Sequence, residues 1–169
     1  MRVKGLWSLV FGLWFISNAF AMGNVPSTQV KEGLMSNAAP DFTLETAAGG
    51  SKSLTQARQG KKAVIFFWAT WCPHCHDAIL LMNKNIDAIH KAGIEIILVD
   101  LGESKEEVRE YLLRNHVNLD SFMDTDNSLQ EPYQLIGVPT LYFVNAKGAI
   151  LSARHEFPPD YEQLFEADK

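Results

Sequence analysis

The chain has 169 residues, is 47% hydrophobic, carries a net charge of −5 and contains two cysteines. That length suits one domain with a full core. An acidic balance without any run of basic residues excludes a nucleic-acid binder that works by neutralising phosphates, so no nucleic-acid partner is expected.

Arg2 and Lys4 precede an uncharged apolar run at 5–16 (GLWSLVFGLWFI), and Ala19-Phe20-Ala21 forms an A-x-A cleavage signal. The run falls short of the ~20 residues a membrane span needs. Residues 1–21 are therefore expected to be a signal peptide cut after Ala21, with an uncleaved anchor as the alternative. Losing Arg2 and Lys4 moves the net charge from −5 to −7. Residues 22–37 read as a polar leader, and residues 38–169 as one domain. Export implies an oxidising compartment in which disulfides persist.

Within the domain, 41–44 (DFTL) reads as a short strand after Pro40, and 48–50 as a turn. Residues 63–69 (AVIFFWA) are a continuous apolar run, the pattern of a strand buried on both faces. Residues 73–91 read as a helix. Pro73 suits its first position, Ile79, Met82, Ile86 and Ile89 share one face, and Gly93 follows as a stop. A second buried strand is expected at 94–101 (IEIILVDL), then a helix at 104–115 with Ser104 and Glu107 at capping-box spacing. A short strand at 119–123 follows, and a short helix at 128–134 that contains Pro132. Strands at 141–144 and 149–154 flank a turn at 145–148, and a helix at 160–167 closes the chain. This alternation predicts an α/β fold.

Both cysteines fall in "WATWCPHCH" (68–76), and three chemistries fit those letters. Cys72-Pro73-His74-Cys75 is a redox C-x-x-C; extended to His76 it is the c-type haem motif C-x-x-C-H; and the cluster offers four metal ligands. A pair so close in sequence closes too small a loop to staple a fold, which points to chemistry. Cys72 stands where a buried strand meets a helix. The helix dipole and unpaired N–H groups there stabilise a thiolate, so Cys72 is the expected nucleophile and Cys75 the resolving thiol. His74 lies between them, placed to tune the thiolate and favour the dithiol form.

Haem would need His76 as axial ligand and a second such as Met82, Met123 or His116, none of which has special context; small c-type cytochromes are mainly helical, whereas this motif follows a buried strand. Structural zinc needs four ligands, and no second cluster accompanies the pair. A thiol peroxidase of the P-x-x-x-T-x-x-C type would place a threonine three residues before the cysteine, but Thr70 is two before Cys72. These stand as alternatives, and no cofactor or metal is expected. His76 reads as an exposed first-turn residue, His90, His116 and His155 as surface or partly buried. Trp68 reads as structural, Asp100 as a turn former and 103–110 as a solvated helix face.

The segment "FWATWCPHC" (67–75) resembles the active site of the thioredoxin superfamily. Ala39-Pro40-Asp41-Phe42-Thr43-Leu44, Gly137-Val138-Pro139-Thr140 and "YFVNAKGAI" (142–150) are similar to its exported TlpA/ResA-like (redoxin) branch. The likeness covers 38–154. It implies a thioredoxin fold, a central mixed β-sheet flanked by helices, with that branch's N-terminal extension and a central insertion in the 63 residues between Cys75 and Pro139. It also implies that Pro139 is a cis-proline beside the redox-active disulfide. Trp71, Val138 and Thr140 would then line a groove in which a substrate strand pairs with the Val138 backbone.

The implied activity is thiol-disulfide exchange with protein thiols and disulfides, in cytochrome c maturation or envelope redox homeostasis. The implied protein is an exported monomer, periplasmic in a Gram-negative source and membrane-anchored if the signal stays. Its implied electron donor or acceptor lies in the membrane. Two departures leave the direction of electron flow open. Phe66 stands where thioredoxins carry a buried aspartate, and Ala78 where many ResA-like reductases carry a glutamate. The Pro-His dipeptide and Val138 before Pro139 instead resemble the DsbA oxidases.

Overall fold

A computed structural model describes residues 37–168, so the expected signal and most of the leader lie outside the described residues. Its centre is a five-stranded sheet in the order β5-β4-β3-β6-β7. β3 (Lys62–Trp68), β4 (Ile94–Leu101) and β5 (Ser121–Asp124) run parallel; β6 (Thr140–Val144) runs antiparallel to β3, and β7 (Ile150–Arg154) antiparallel to β6. β1 (Thr43–Glu45) and β2 (Ser51–Ser53) form a separate small antiparallel ribbon.

The middle position of β3 explains its unbroken apolar run. Val64, Phe66 and Trp68 face one core, with Ile79 and Met82 of α2 (Pro73–Lys84), Val108 and Leu112 of α4 (Lys105–Arg114), and Phe165 of the closing 3-10 helix (Tyr161–Asp168). Ala63, Ile65 and Phe67 face the other, with Phe42, Tyr133 and Leu54 of the short helix α1 (Leu54–Arg58). Period-two alternation thus buries both faces of one strand. Trp68 and Phe66 are fully buried, each contributing about 1.5–3 kcal/mol by area removed from water.

Several expected elements are corrected. The single helix at 73–91 is two, α2 and α3 (Ile86–Lys91), because the Asn85 side-chain amide and backbone N–H both bond the Leu81 carbonyl and break the run. No helix forms over 128–134. Successive turns replace it, organised by the Asp124 carboxylate, which accepts from Ser128 and from the Leu129 N–H. Pro132, inside this segment, has no N–H to give a helical ladder. The polar elements β2 and α1 are absent from the sequence expectation; α1 begins at a full capping box of Ser53 and Gln56. Remaining boundaries shift by one or two residues. Among the described residues no helix is long and apolar enough to cross a membrane.

One end of the sheet is held by Arg58, whose buried Nη2 donates to the carbonyls of Lys61 (3.2 Å), Asn145 (2.8 Å) and Ala146 (3.1 Å). Gly148, at φ +95°, passes so close that an added Cβ would meet Arg58 Nη1 at 3.0 Å. Gly148→Ala combines left-handed strain with a push on an anchored guanidinium. It is expected to lower unfolding free energy by about 1–3 kcal/mol in urea titration.

Candidate active site

The other end of the sheet carries the cysteines. β3 ends at Trp68, and four residues later Cys72 caps α2 in extended backbone (φ −96°, ψ 106°), its Sγ accepting the Cys75 N–H at 3.2 Å. Pro73 takes the first helical position, where no N–H is needed. Cys72 and Cys75 are joined in a disulfide, with Cα atoms 5.2 Å apart. Cys72 retains 4% exposure and Cys75 none, the asymmetry a nucleophile and a resolving thiol require.

Thr140 pairs with Phe67 in the β3–β6 register, which brings the loop before β6 to the cysteine end of the sheet. The Val138–Pro139 peptide bond in that loop is cis, and Val138 packs against the core cluster that holds both cysteines. Thr140 itself is buried, its hydroxyl donating to the Gly137 carbonyl at 2.7 Å. It therefore shapes the loop from inside and does not line the groove. Trp71 is 68% exposed and Ile136 85%, large apolar side chains set just before Cys72 and just before the Gly137–Pro139 turn.

His74 is exposed on α2 and lines a cleft of about 400 Å³ with Asp77, Ala78, Leu81, His155, Glu156 and Phe157. His155 is exposed, as expected, and its Nδ1 donates to the Pro139 carbonyl at 2.8 Å, tying the segment after β7 to the proline loop.

His76, expected to be exposed, is half-buried and engaged. Its Nε2 donates to the Thr70 carbonyl at 2.5 Å, and its ring lies 4.7 Å from that of Tyr111. The nitrogen a haem iron would take is thus committed to the backbone. Among the described residues no group of three or more His, Cys, Asp or Glu side chains gathers at metal-binding spacing.

Two acids depart from the sequence expectation. Asp100 does take part in the turn after β4, its Oδ1 accepting the Glu103 N–H at 3.2 Å, but it lies within the strand, opposite Trp68, fully buried, and its Oδ2 meets no donor. Burial first, and then the neighbouring Glu103 carboxyl, push its pKa up to about 8. Glu103, expected on a solvated helix face, lies in the loop before α4, where both its oxygens accept from Thr70. A sequence signal for both exists in retrospect. "DLGE" (100–103) puts two carboxyls at the C-terminal edge of a parallel strand, where α/β sheets place their sites.

Residues 35–153 match the AhpC/TSA family. The chain is 31% identical over 113 residues to the thiol-disulfide oxidoreductase ResA of Bacillus subtilis, covering 67% of this chain and 63% of that protein. It is 26% identical over 112 residues to the sporulation thiol-disulfide oxidoreductase A of the same organism, covering 64% and 67%. The chain spans a little under two thirds, 63–64%, of the length of ResA from Bacillus subtilis and from two Geobacillus species. Among solved structures, StoA of Bacillus subtilis superposes with a TM-score of 0.62 at 25% identity, covering 78% of this chain and 98% of that one. A thiol:disulfide interchange protein DsbE of Chlorobium tepidum superposes with a TM-score of 0.68 at 22% identity, covering 79% and 93%. The five-stranded mixed sheet with flanking helices is accordingly a thioredoxin fold.

Proposed function

We propose, from the premise that this chain belongs to the AhpC/TSA family, that it is a thiol-disulfide oxidoreductase acting on protein thiols and disulfides. The observation that carries the reading is the Cys72–Cys75 disulfide at the start of α2, with Cys72 as the helix cap and the more exposed sulfur. The names of the ResA and sporulation relatives support it.

In the reducing direction the Cys72 thiolate attacks a substrate disulfide. A Cys72–substrate disulfide forms, and the released substrate thiolate takes a proton. Cys75, having given up its proton, then attacks Cys72 Sγ, restores the internal disulfide and frees the second substrate thiol. Two electrons pass from the protein dithiol to the substrate, and a dithiol donor must return them. In the oxidising direction the same steps run backwards. Trp71 and Val138 offer an apolar and a backbone surface to the incoming chain, and His74 tunes the Cys72 thiolate. Export through residues 1–21, action as a monomer, and a membrane-held electron donor or acceptor complete the reading.

A catalytic amount of the protein is expected to speed dithiothreitol reduction of insulin at least about ten-fold. Absence of acceleration would overturn the reading. Equilibration of the Cys72–Cys75 pair with glutathione assigns direction, a strongly reducing value favouring reductase work and an oxidising one favouring the Pro-His dipeptide's likeness to oxidases.

A further inference from the structure

We propose that His76, Glu103 and Asp100 form a proton-sensitive clamp on Thr70 that fixes the Cys72 loop for thiol exchange. All three are positioning residues, and the inference rests on the oxidoreductase reading above.

Thr70, two residues before Cys72, has every polar group committed. Its N–H donates to Glu103 Oε2 at 2.5 Å, its hydroxyl donates to Glu103 Oε1 at 2.5 Å, and its carbonyl accepts from His76 Nε2 at 2.5 Å. Two consequences follow from donor and acceptor counting. Glu103 receives a proton donor on each oxygen, so it grips Thr70 as a carboxylate. The His76 bond closes the segment 70–76 on itself, and both cysteines belong to that segment. The loop carrying Cys72 is therefore fastened from β4's end by Glu103 and from α2 by His76.

Asp100 stands behind the grip. Its Oδ1 accepts the Glu103 N–H at 3.2 Å, while its Oδ2 is buried with no partner. A neutral Asp100 can donate its proton to the neighbouring Glu103 carboxylate, whereas an ionised one would set a second carboxylate against it. Neutral Asp100 leaves Glu103 as the single negative charge of the pair. Once Asp100 ionises, two carboxylates share a buried corner, and the repulsion is relieved by moving Glu103 off Thr70. The surrounding titratable and charged groups are Glu107 and Tyr111 on α4, Asp77 and His76 on α2, and Asp124 on β5. Glu107 adds to the repulsion. Tyr111 presents a buried, unpartnered hydroxyl and packs its ring against that of His76 at a tilt of 38°. Asp124 is occupied by Ser128 and Leu129. Above the Asp100 transition the loop loosens, and attack at Cys72 slows.

The test is the rate of dithiothreitol reduction of the internal disulfide between about pH 6.5 and 9.5, followed by acid quench and mass. Dividing the wild-type rate by that of Asp100→Asn cancels the reagent's own ionisation, because asparagine is a permanent copy of the neutral acid. The ratio is expected to fall about three- to ten-fold in one step near pH 8. At pH 6.5 His76→Ala is expected to slow the reaction by a similar factor, and His76→Gln, whose amide can still donate to Thr70, to recover at least half of the loss. A flat ratio, or equal rates for the two His76 variants, overturns the clamp. Should Asp100→Asn not fold, the wild-type rate divided by that of oxidised glutathione with the same reagent carries the same expectation. Dithiothreitol reduces this disulfide whatever the natural substrate is. A failed clamp therefore leaves the insulin result standing, and a failed insulin assay removes the exchange the clamp would serve without altering the ratio measured here.

Discussion

Cys72→Ser is expected to lose catalysed disulfide exchange by about three orders of magnitude or more, whereas Cys75→Ser retains the first attack and stalls as a mixed disulfide. The asymmetry follows from where each sulfur sits. Cys72 caps α2, at the positive end of the helix dipole, and the Cys75 N–H already points at its Sγ from 3.2 Å. When the disulfide opens, that amide and the dipole stabilise negative charge on Cys72. Cys75 has no exposed surface and can reach only Cys72. Insulin turbidity reads the lost turnover. Intact mass after incubation with a disulfide peptide reads the stalled adduct, which should form with Cys75→Ser and not with Cys72→Ser. Adduct on Cys72→Ser alone would exchange the two roles.

Trp68→Ala is expected to lower unfolding free energy by about 3–5 kcal/mol in urea titration, close to the whole margin of many domains. The indole is fully buried at the end of β3, its Nε1 donates to Ser121 Oγ at 3.0 Å, and its ring lies 5.2 Å from that of Tyr111. Truncation leaves a cavity under the cysteine loop and removes the donor to the buried Ser121 Oγ, whose own proton stays on the Phe122 carbonyl at 3.1 Å. Trp68→Phe keeps most of the volume and should lose roughly half as much. A loss below about 1 kcal/mol for the alanine variant would show that this indole is not the packing centre described here.

How much could be read beforehand depends on the range of the interactions involved. β3 and β4 were legible because burial on both faces leaves an apolar run in the letters themselves, unbroken from Ala63 to Trp68 and from Ile96 to Val99. The start of α2 was legible because Pro73 and the cysteine pair mark it locally. The break at Asn85 was not, since it arises from a side-chain amide competing with the helical ladder. β2 and α1 are short and polar, and their periodicity is too brief to register. In the site, Cys72 and Cys75 announce themselves, and the loop around Pro139 was reached through family likeness. Glu103 and Asp100 stayed hidden because what they meet is set by the fold, and His76 because no letter shows that its ring turns back to the Thr70 carbonyl. Glu103 finds its partner 33 residues back along the chain, and Asp100 looks like an ordinary strand-end polar residue until burial is known. Thr140 was misplaced in the groove because its inward rotation is a matter of packing.

The bridge between Ala38 and Ala149 also fixes an orientation. β6 starts beside the proline loop and ends at the 145–149 turn, so the described chain enters at the pole opposite the sulfurs, with Ala39 N–H on the Gly148 carbonyl and Ile150 N–H on the Asn37 carbonyl. Any tether running through that entry point, to a surface or to a fused protein, pulls on the Arg58 pole and presents the disulfide outward like the head of a pin. Immobilisation through the N-terminal side should therefore leave reach toward a large folded substrate intact, while attachment at Trp71 or Ile136 would cap it.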